Sequence, residues 1–254
     1  MERNPEYSHE FFLTAGESNA CGRMPITLIA ERVIEVATEH ANELNIGYKD
    51  LITKNIGWVL SRLAIEMYRY PEINETYTLT TWIETYNKRF SERNFVMTDG
   101  AGEVLGYMRS LWVAIDMQSR TVADLSDFER DAFPIGSREC PICKVSRLTP
   151  LPDGSSEEDY TFRYCDIDFN RHVNTVRYLD LILNHWSLDH FDNNIINRLE
   201  ICFHHECYFG EKVKLRIHTS DRKSRCEIVR DGTRTVGATI TWLPNKKSRP
   251  APTE

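Results

Sequence analysis

Two stretches of the chain carry apolar residues at helical spacing, and each is followed by runs with the punctuation of an antiparallel sheet. After Thr27, the residues Ile29, Val33, Ile34, Ala37, Ala41 and Leu44 recur every three or four positions until Asn45 and Gly47 supply a stop. That period predicts a helix over residues 27–45. A strand over residues 9–15 and a loop of small and polar residues over 16–23 precede it. Four extended segments follow, at 56–70, 76–87, 91–98 and 104–116, rich in Val, Ile, Thr, Tyr and Trp. Their breaks hold Pro71, Asn74, Asn87 and the hairpin signal Asp99-Gly100-Ala101-Gly102.

The order then repeats at a spacing of nearly 150 residues. A strand is predicted over 160–165, a second helix over 175–191, and strands over 198–208, 212–220, 225–230 and 235–243. Val176, Leu179, Leu183 and Trp186 form the stripe of that helix, with Tyr178 and Ile182 beside it. Between the repeats, residues 126–156 hold four prolines and end in Pro152-Asp153-Gly154-Ser155-Ser156, the composition of a linker. The chain therefore divides into an N-terminal unit at 1–125, a linker at 126–156 and a C-terminal unit at 157–254. A helix that is apolar on several sides must be wrapped, and an antiparallel sheet of four or five strands can curl round it. Two such units can pair their sheets edge to edge, which protects edge strands. The expected fold class is α+β, a tandem double hotdog in which two long central helices are each wrapped by an antiparallel sheet.

Composition narrows the function classes. With 41% hydrophobic and 27% charged residues the 254-residue chain is globular in type, and its net charge of −7 argues against non-specific binding to nucleic acid. The N-terminal Met1-Glu2-Arg3-Asn4-Pro5-Glu6 has no apolar run of the kind a signal peptide needs, and no later segment approaches a membrane span. A cytoplasmic location is the simplest expectation. Seven cysteines, an odd number, point to reduced thiols. Cys140-Pro141-Ile142-Cys143 is a close pair with no two further ligands nearby, so neither a metal nor a cofactor is expected.

The candidate chemistry lies in Tyr164-Cys165-Asp166-Ile167-Asp168-Phe169-Asn170-Arg171-His172-Val173-Asn174, directly before the second helix. If this segment is extended, Asp166, Asp168, Asn170, His172 and Asn174 share one parity and project to one side. Asn174 is placed to cap the helix, whose N-terminal N–H groups would then lie beside carboxylate, amide and imidazole. Such a junction suits acyl transfer or hydrolysis. The alternative is a loop whose Asp and Asn residues serve only turn and cap positions.

Across residues 9–242 the chain resembles the acyl-acyl carrier protein thioesterases of plants and bacteria. The resemblance is carried by Gly57-Trp58-Val59-Leu60-Ser61-Arg62, Tyr70-Pro71, Thr80-Thr81-Trp82, Ser110-Leu111-Trp112-Val113, Asp168-x-Asn170-x-His172-Val173-Asn174, Leu199-Glu200 and Glu206-Cys207, in that order and spacing. It implies a hydrolase that releases fatty acid from a fatty acyl group held on acyl carrier protein. It also implies a site at Asp168, Asn170, His172, Glu206 and Cys207. Thr175 departs from the family's more usual second asparagine after Asn174, which touches the helix start and leaves the motif side chains in place.

Two mechanisms fit that set. In one, Asp168 or Glu206 activates water, Asn170 donates to the carbonyl oxygen, and His172 orients or protonates. In the other, Cys207 is a nucleophile, His172 its base and Asn170 the orienter. Strand alternation favours Glu206: Cys207 shares parity with Leu199, Ile201 and Phe203 and so faces the helix, where a buried thiol is a poor nucleophile. His204 and His205 adjoin this site and are weaker candidates. Val59, Leu63, Ile65, Ile34 and Ala37 are candidates to line an acyl tunnel or to be plain core. Lys212, Lys214, Arg222, Lys223 and Arg225 form a candidate docking set for an acidic carrier. An acyl-coenzyme A thioesterase and a non-catalytic acyl-binding module are the competing functions. A homodimer is compatible with the sequence, which does not fix oligomeric state.

Overall fold

The computed structural model describes residues 4–126 and 133–246. The first unit runs β1 (Glu6–Phe12), α1 (Ile26–Glu43), α2 (Tyr48–Ile52), β2 (Ile56–Met67), β3 (Thr76–Tyr86), β4 (Phe90–Asp99) and β5 (Val104–Asp116). The second runs β6 (Ser156–Thr161), α3 (Thr175–Leu183), α4 (Leu188–Asn193), β7 (Asn194–Phe203), β8 (Lys212–Ser220), β9 (Lys223–Arg230) and β10 (Thr233–Pro244). All pairings are antiparallel, and the strands form one sheet in the order β1-β3-β4-β5-β2-β7-β10-β9-β8-β6. This is the double hotdog, its two five-stranded halves joined where Arg62–Glu66 of β2 pair with Cys202–Arg198 of β7.

Alternation along β2 and β7 sets the layers. Leu63, Ile65, Leu199 and Ile201 are fully buried on the face that meets α1 and α3, where they join Ile29, Val33, Val36, Leu179 and Ile182 in one core shared by both units. Each such side chain contributes about 1.5–3 kcal/mol relative to exposure. The intervening residues Glu66, Arg198 and Glu200 point to the other face, tied by Arg198–Glu66 and Arg198–Glu200 ion pairs of 2.8 Å each. Across that face runs the segment joining the units. Gly136 N–H donates to Ile83 O, Arg109 donates to the carbonyls of Cys140 and Ile142, Arg198 donates to that of Cys143, and Ser146 N–H donates to Glu200. Arg225 donates to Thr149 and Pro150. The passage with linker composition is thus a strap, crossing β3, β5, β7 and β9 in turn.

Three expectations differ from the structure. The single second helix breaks at Asn184, because the Ser187 side chain accepts from His190 N–H and starts α4 afresh. The strand expected over 160–165 ends at Thr161, and Tyr164–Asp166 form a 3-10 turn. In β2 the pairing skips Ser61, a bulge that reverses parity, so Leu60 and not Val59 joins Leu63 and Ile65 in the core.

Candidate active site

The segment before α3 is a tight double turn and not an extended strand. Tyr164–Asp166 close a 3-10 turn in which the Asp166 carboxylate accepts from Arg163 N–H (2.7 Å) and from the Tyr160 hydroxyl (3.0 Å). Asp168 then builds a second turn: its Oδ1 accepts from Asn170 N–H (2.8 Å) and from His172 N–H (3.2 Å), and its own N–H donates to His172 O (2.8 Å). Arg171 completes it at φ 67°. The shared parity expected for Asp166, Asp168, Asn170, His172 and Asn174 is therefore lost, since alternation holds only where the backbone is extended. Asp166 and Asp168 spend carboxylate oxygens on the backbone, and Asn174 caps α3 by accepting from Val176 N–H at 2.9 Å. The Asn170 side chain is exposed and makes no hydrogen bond among the described residues.

What the turns achieve is the placement of His172. Its backbone forms a bridge with Tyr208, Val173 N–H donates to Cys207 O (2.9 Å), and its ring meets the Tyr208 ring edge-on at 5.0 Å. β7 ends at Phe203, where the N–H groups of His204 and His205 both turn onto Thr235 O, so residues 204–207 leave the strand. Glu206 is thereby freed to face the imidazole, with His172 Nδ1 3.3 Å from Glu206 Oε1. Both side chains are largely covered, 18% and 31% exposed.

The same turn takes Cys207 inward. It is fully buried in the shared core, its N–H donates to the Tyr178 hydroxyl (3.0 Å), and burial pushes its thiol up from the ordinary range. A thiol held neutral in this way is a weak nucleophile. His204 and His205 are exposed, and burial of part of the His204 ring, with Arg234 beside it, pulls its pKa down.

Residues far off in sequence complete the arrangement. Arg120, on the turn after β5 of the first unit, ion-pairs with the same Glu206 oxygen, and Arg230 donates to Glu206 O at 2.9 Å. Sequence reasoning missed both, and no local signal marks them: Arg120 lies 86 positions from its partner. Tyr48 of α2 meets Phe169 of the motif edge-on at 6.0 Å, so the site is built from both units. Phe169, Tyr208 and Phe209 are exposed on the segments that carry the pair, and of these rings Tyr208 lies against His172. Among the described residues no cluster of three metal-ligating side chains exists.

The proposed docking set is divided. Lys212 opens β8 beside Glu211, whereas Arg222, Lys223 and Arg225 sit at its far end, about 25 Å away at strand rise. Lys214 is paired with Asp159 (3.3 Å) and Glu157 (3.5 Å).

Known proteins match nearly the whole chain. Residues 4–131 match the acyl-ACP thioesterase N-terminal domain and residues 151–244 the acyl-ACP thioesterase C-terminal domain. An oleoyl-acyl carrier protein thioesterase of Arabidopsis thaliana is 26% identical over 95% of this chain and 70% of its own length; a second from that plant is 23% identical over 79% and 60%. The crystal structure of an acyl-ACP thioesterase from Bacteroides thetaiotaomicron superposes with a TM-score of 0.88 at 28% identity, covering 96% of this chain and all of that one. The 12:0-ACP thioesterase of Umbellularia californica shares the fold, with a TM-score of 0.85 at 20% identity over 95% of this chain and 98% of its own.

Proposed function

Because the chain belongs to the acyl-ACP thioesterase family, we propose that it hydrolyses the thioester of a fatty acyl group on acyl carrier protein at the His172–Glu206 pair. The observation that carries this reading is the approach of His172 Nδ1 to Glu206 Oε1 at 3.3 Å. With Oε1 3.3 Å from Nδ1, Glu206 favours the proton on that nitrogen, the tautomer in which Nε2 keeps its lone pair. Arg120 ion-pairs with the same carboxylate oxygen and holds it in place.

Nε2 of His172 takes a proton as water oxygen attacks the thioester carbon, and the exposed amide of Asn170 donates to the developing oxyanion. Collapse breaks the carbon–sulfur bond, the carrier's thiolate leaves, and the proton on His172 goes to that sulfur. The products are free fatty acid and free carrier. The exposed rings of Phe169, Tyr208 and Phe209 offer the acyl group an apolar approach. The reaction requires a compartment shared with acyl carrier protein, which keeps the cytoplasm as the expected location.

Cleavage of acyl-carrier thioesters over a range of chain lengths tests the assignment. Replacing His172 by Ala should lower kcat by about 10²–10⁴-fold with the fold intact, and Cys207→Ala should leave it within about tenfold. Near-total loss in Cys207→Ala with an intact circular dichroism spectrum would transfer the chemistry to the thiol. Equal rates on matched coenzyme A thioesters would remove the carrier from the reading while leaving the hydrolase.

A further inference from the structure

The turn that places His172 has a second copy at the start of α1. Asn19 N–H donates to Arg23 O at 2.8 Å, as Asp168 N–H does to His172 O. Asn19 Oδ1 accepts from Cys21 N–H (3.0 Å) and Arg23 N–H (3.2 Å), as Asp168 Oδ1 does from Asn170 and His172. Gly22 has φ 72° where Arg171 has 67°. Met24 N–H donates to Pro71 O at 2.9 Å, the counterpart of Val173 to Cys207, and Arg23 bridges Glu72 as His172 bridges Tyr208. The β2–β7 pairing relates the strands in the same way, with Ser61 and Asn197 as matching bulges. Position by position, Arg23 stands for His172, Tyr70 for Glu206 and Pro71 for Cys207.

This second position has neither the acid nor the imidazole, and a cavity opens at it. A space of about 200 Å³ opens there, about 30 Å along β7 from the His172–Glu206 pair at strand rise. Its walls include Met24, Ile26, Leu183, Leu188, Phe191 and Ile195, and Arg23 and Tyr70 reach it. Tyr70 is spent, its hydroxyl donating to Ile196 O at 2.8 Å. Arg23 donates to Asn245 Oδ1 at 3.1 Å and pairs with no carboxylate among the described residues, while Asp192 lies on the Cys21 thiol (3.7 Å). The first turn of α1 carries no acidic residue and no side-chain cap, so its N–H groups add positive potential.

An apolar cavity of about 150 Å³ already binds benzene, so this one is large enough for a short alkyl chain. An apolar wall with one guanidinium is complementary to an alkyl chain ending in a carboxylate. We propose that this cavity is a non-hydrolytic binding site for a free fatty acid, with the chain among Leu183, Leu188 and Phe191 and the carboxylate on Arg23. The proposal does not depend on the roles given to His172 and Glu206.

Calorimetric titration of the full chain with octanoate tests it. Arg23→Met should weaken one binding event about tenfold or more, and Leu183→Trp, which fills the cavity, should remove it. Both variants should cleave acyl-carrier thioester at the unmodified rate, while Glu206→Gln should lose cleavage and keep this binding. Octanoate binding that is unchanged in Arg23→Met and in folded Leu183→Trp overturns the proposal. So does a parallel loss of cleavage and binding in Leu183→Trp, which would make the cavity part of the substrate's path. Should Leu183→Trp fail to fold, the result with Arg23→Met decides alone.

Discussion

At the scale of single residues, the motif separates into side chains that build and side chains that are presented. Asp168 belongs to the first group: both N–H groups it accepts are backbone, and at the equivalent turn a neutral Asn19 makes the same two bonds. Asp168→Asn should therefore keep thioester cleavage within about tenfold, whereas Asp168→Ala leaves two N–H groups without acceptors, at about 1–3 kcal/mol, and should lower the urea midpoint and the rate together. A loss of more than a hundredfold in a well-folded Asp168→Asn would show that the charge itself is needed. His172, Asn170 and Glu206 belong to the second group. Residue types drew attention to Asn170 and His172, and the family resemblance to Glu206, but the division of labour was not legible, because whether Asp168 reaches a reactant or a backbone depends on two consecutive turns that the parity of an extended strand cannot represent. Cys207 was expected to face inward and does, but it is the turn at residues 204–207, beyond the end of the strand at Phe203, that takes it there and not the alternation of Leu199, Ile201 and Phe203.

At the scale of elements, α1 is held by a polar contact that its apolar stripe does not announce. His40, fully buried near its C-terminal end, accepts at Nδ1 from the Arg93 guanidinium of β4 (2.7 Å), and its Nε2–H donates to Asn4 O (3.1 Å). The Tyr7 ring stacks on it at 6.0 Å. Burial, and then the neighbouring charge of Arg93, pull the imidazole down to about 4 from an ordinary 6.5. Below pH 6.5 the unfolded chain takes up a proton that the folded one refuses. This contribution to stability is complete above pH 6.5 and is lost as pH falls toward 4. Urea midpoints at pH 7.5 and pH 5 should differ by less in His40→Gln, which keeps an acceptor for Arg93 but cannot titrate; an unchanged difference would sink the assignment. Helix and strand periods were read from the sequence to within a few residues because each is set by neighbours in the chain. The break at Asn184 was not, since Trp186 continues the stripe and its ring packs 5.0 Å from Trp242 of β10, a contact with no local trace.

At the scale of the whole molecule, the two units share a core and a sheet, and neither is closed without the other. β2 and β7 each have one neighbour within their own half and need the other for the second. Residues 1–150 expressed alone would present the β2 edge and half of the shared core to solvent. Sedimentation should find that fragment self-associated, while the intact chain unfolds in one transition by circular dichroism and tryptophan fluorescence; a monomeric, folded fragment would contradict this. The pairing of units was expected from the repeat, but the strap over the outer face was not, since its hydrogen bonds come from Arg109, Arg198 and Arg225 and leave no periodicity in the prolines it contains.

The duplicated turns have a consequence for how such a chain can change. In an assembly of two identical subunits every substitution is made twice, so an acid gained at one catalytic position is gained at both and a defect cannot be confined. Covalent fusion lifts that restriction: Tyr70 and Glu206 occupy matching places and answer to separate codons. One half is then at liberty to specialise in chemistry while its twin retains the backbone that both require.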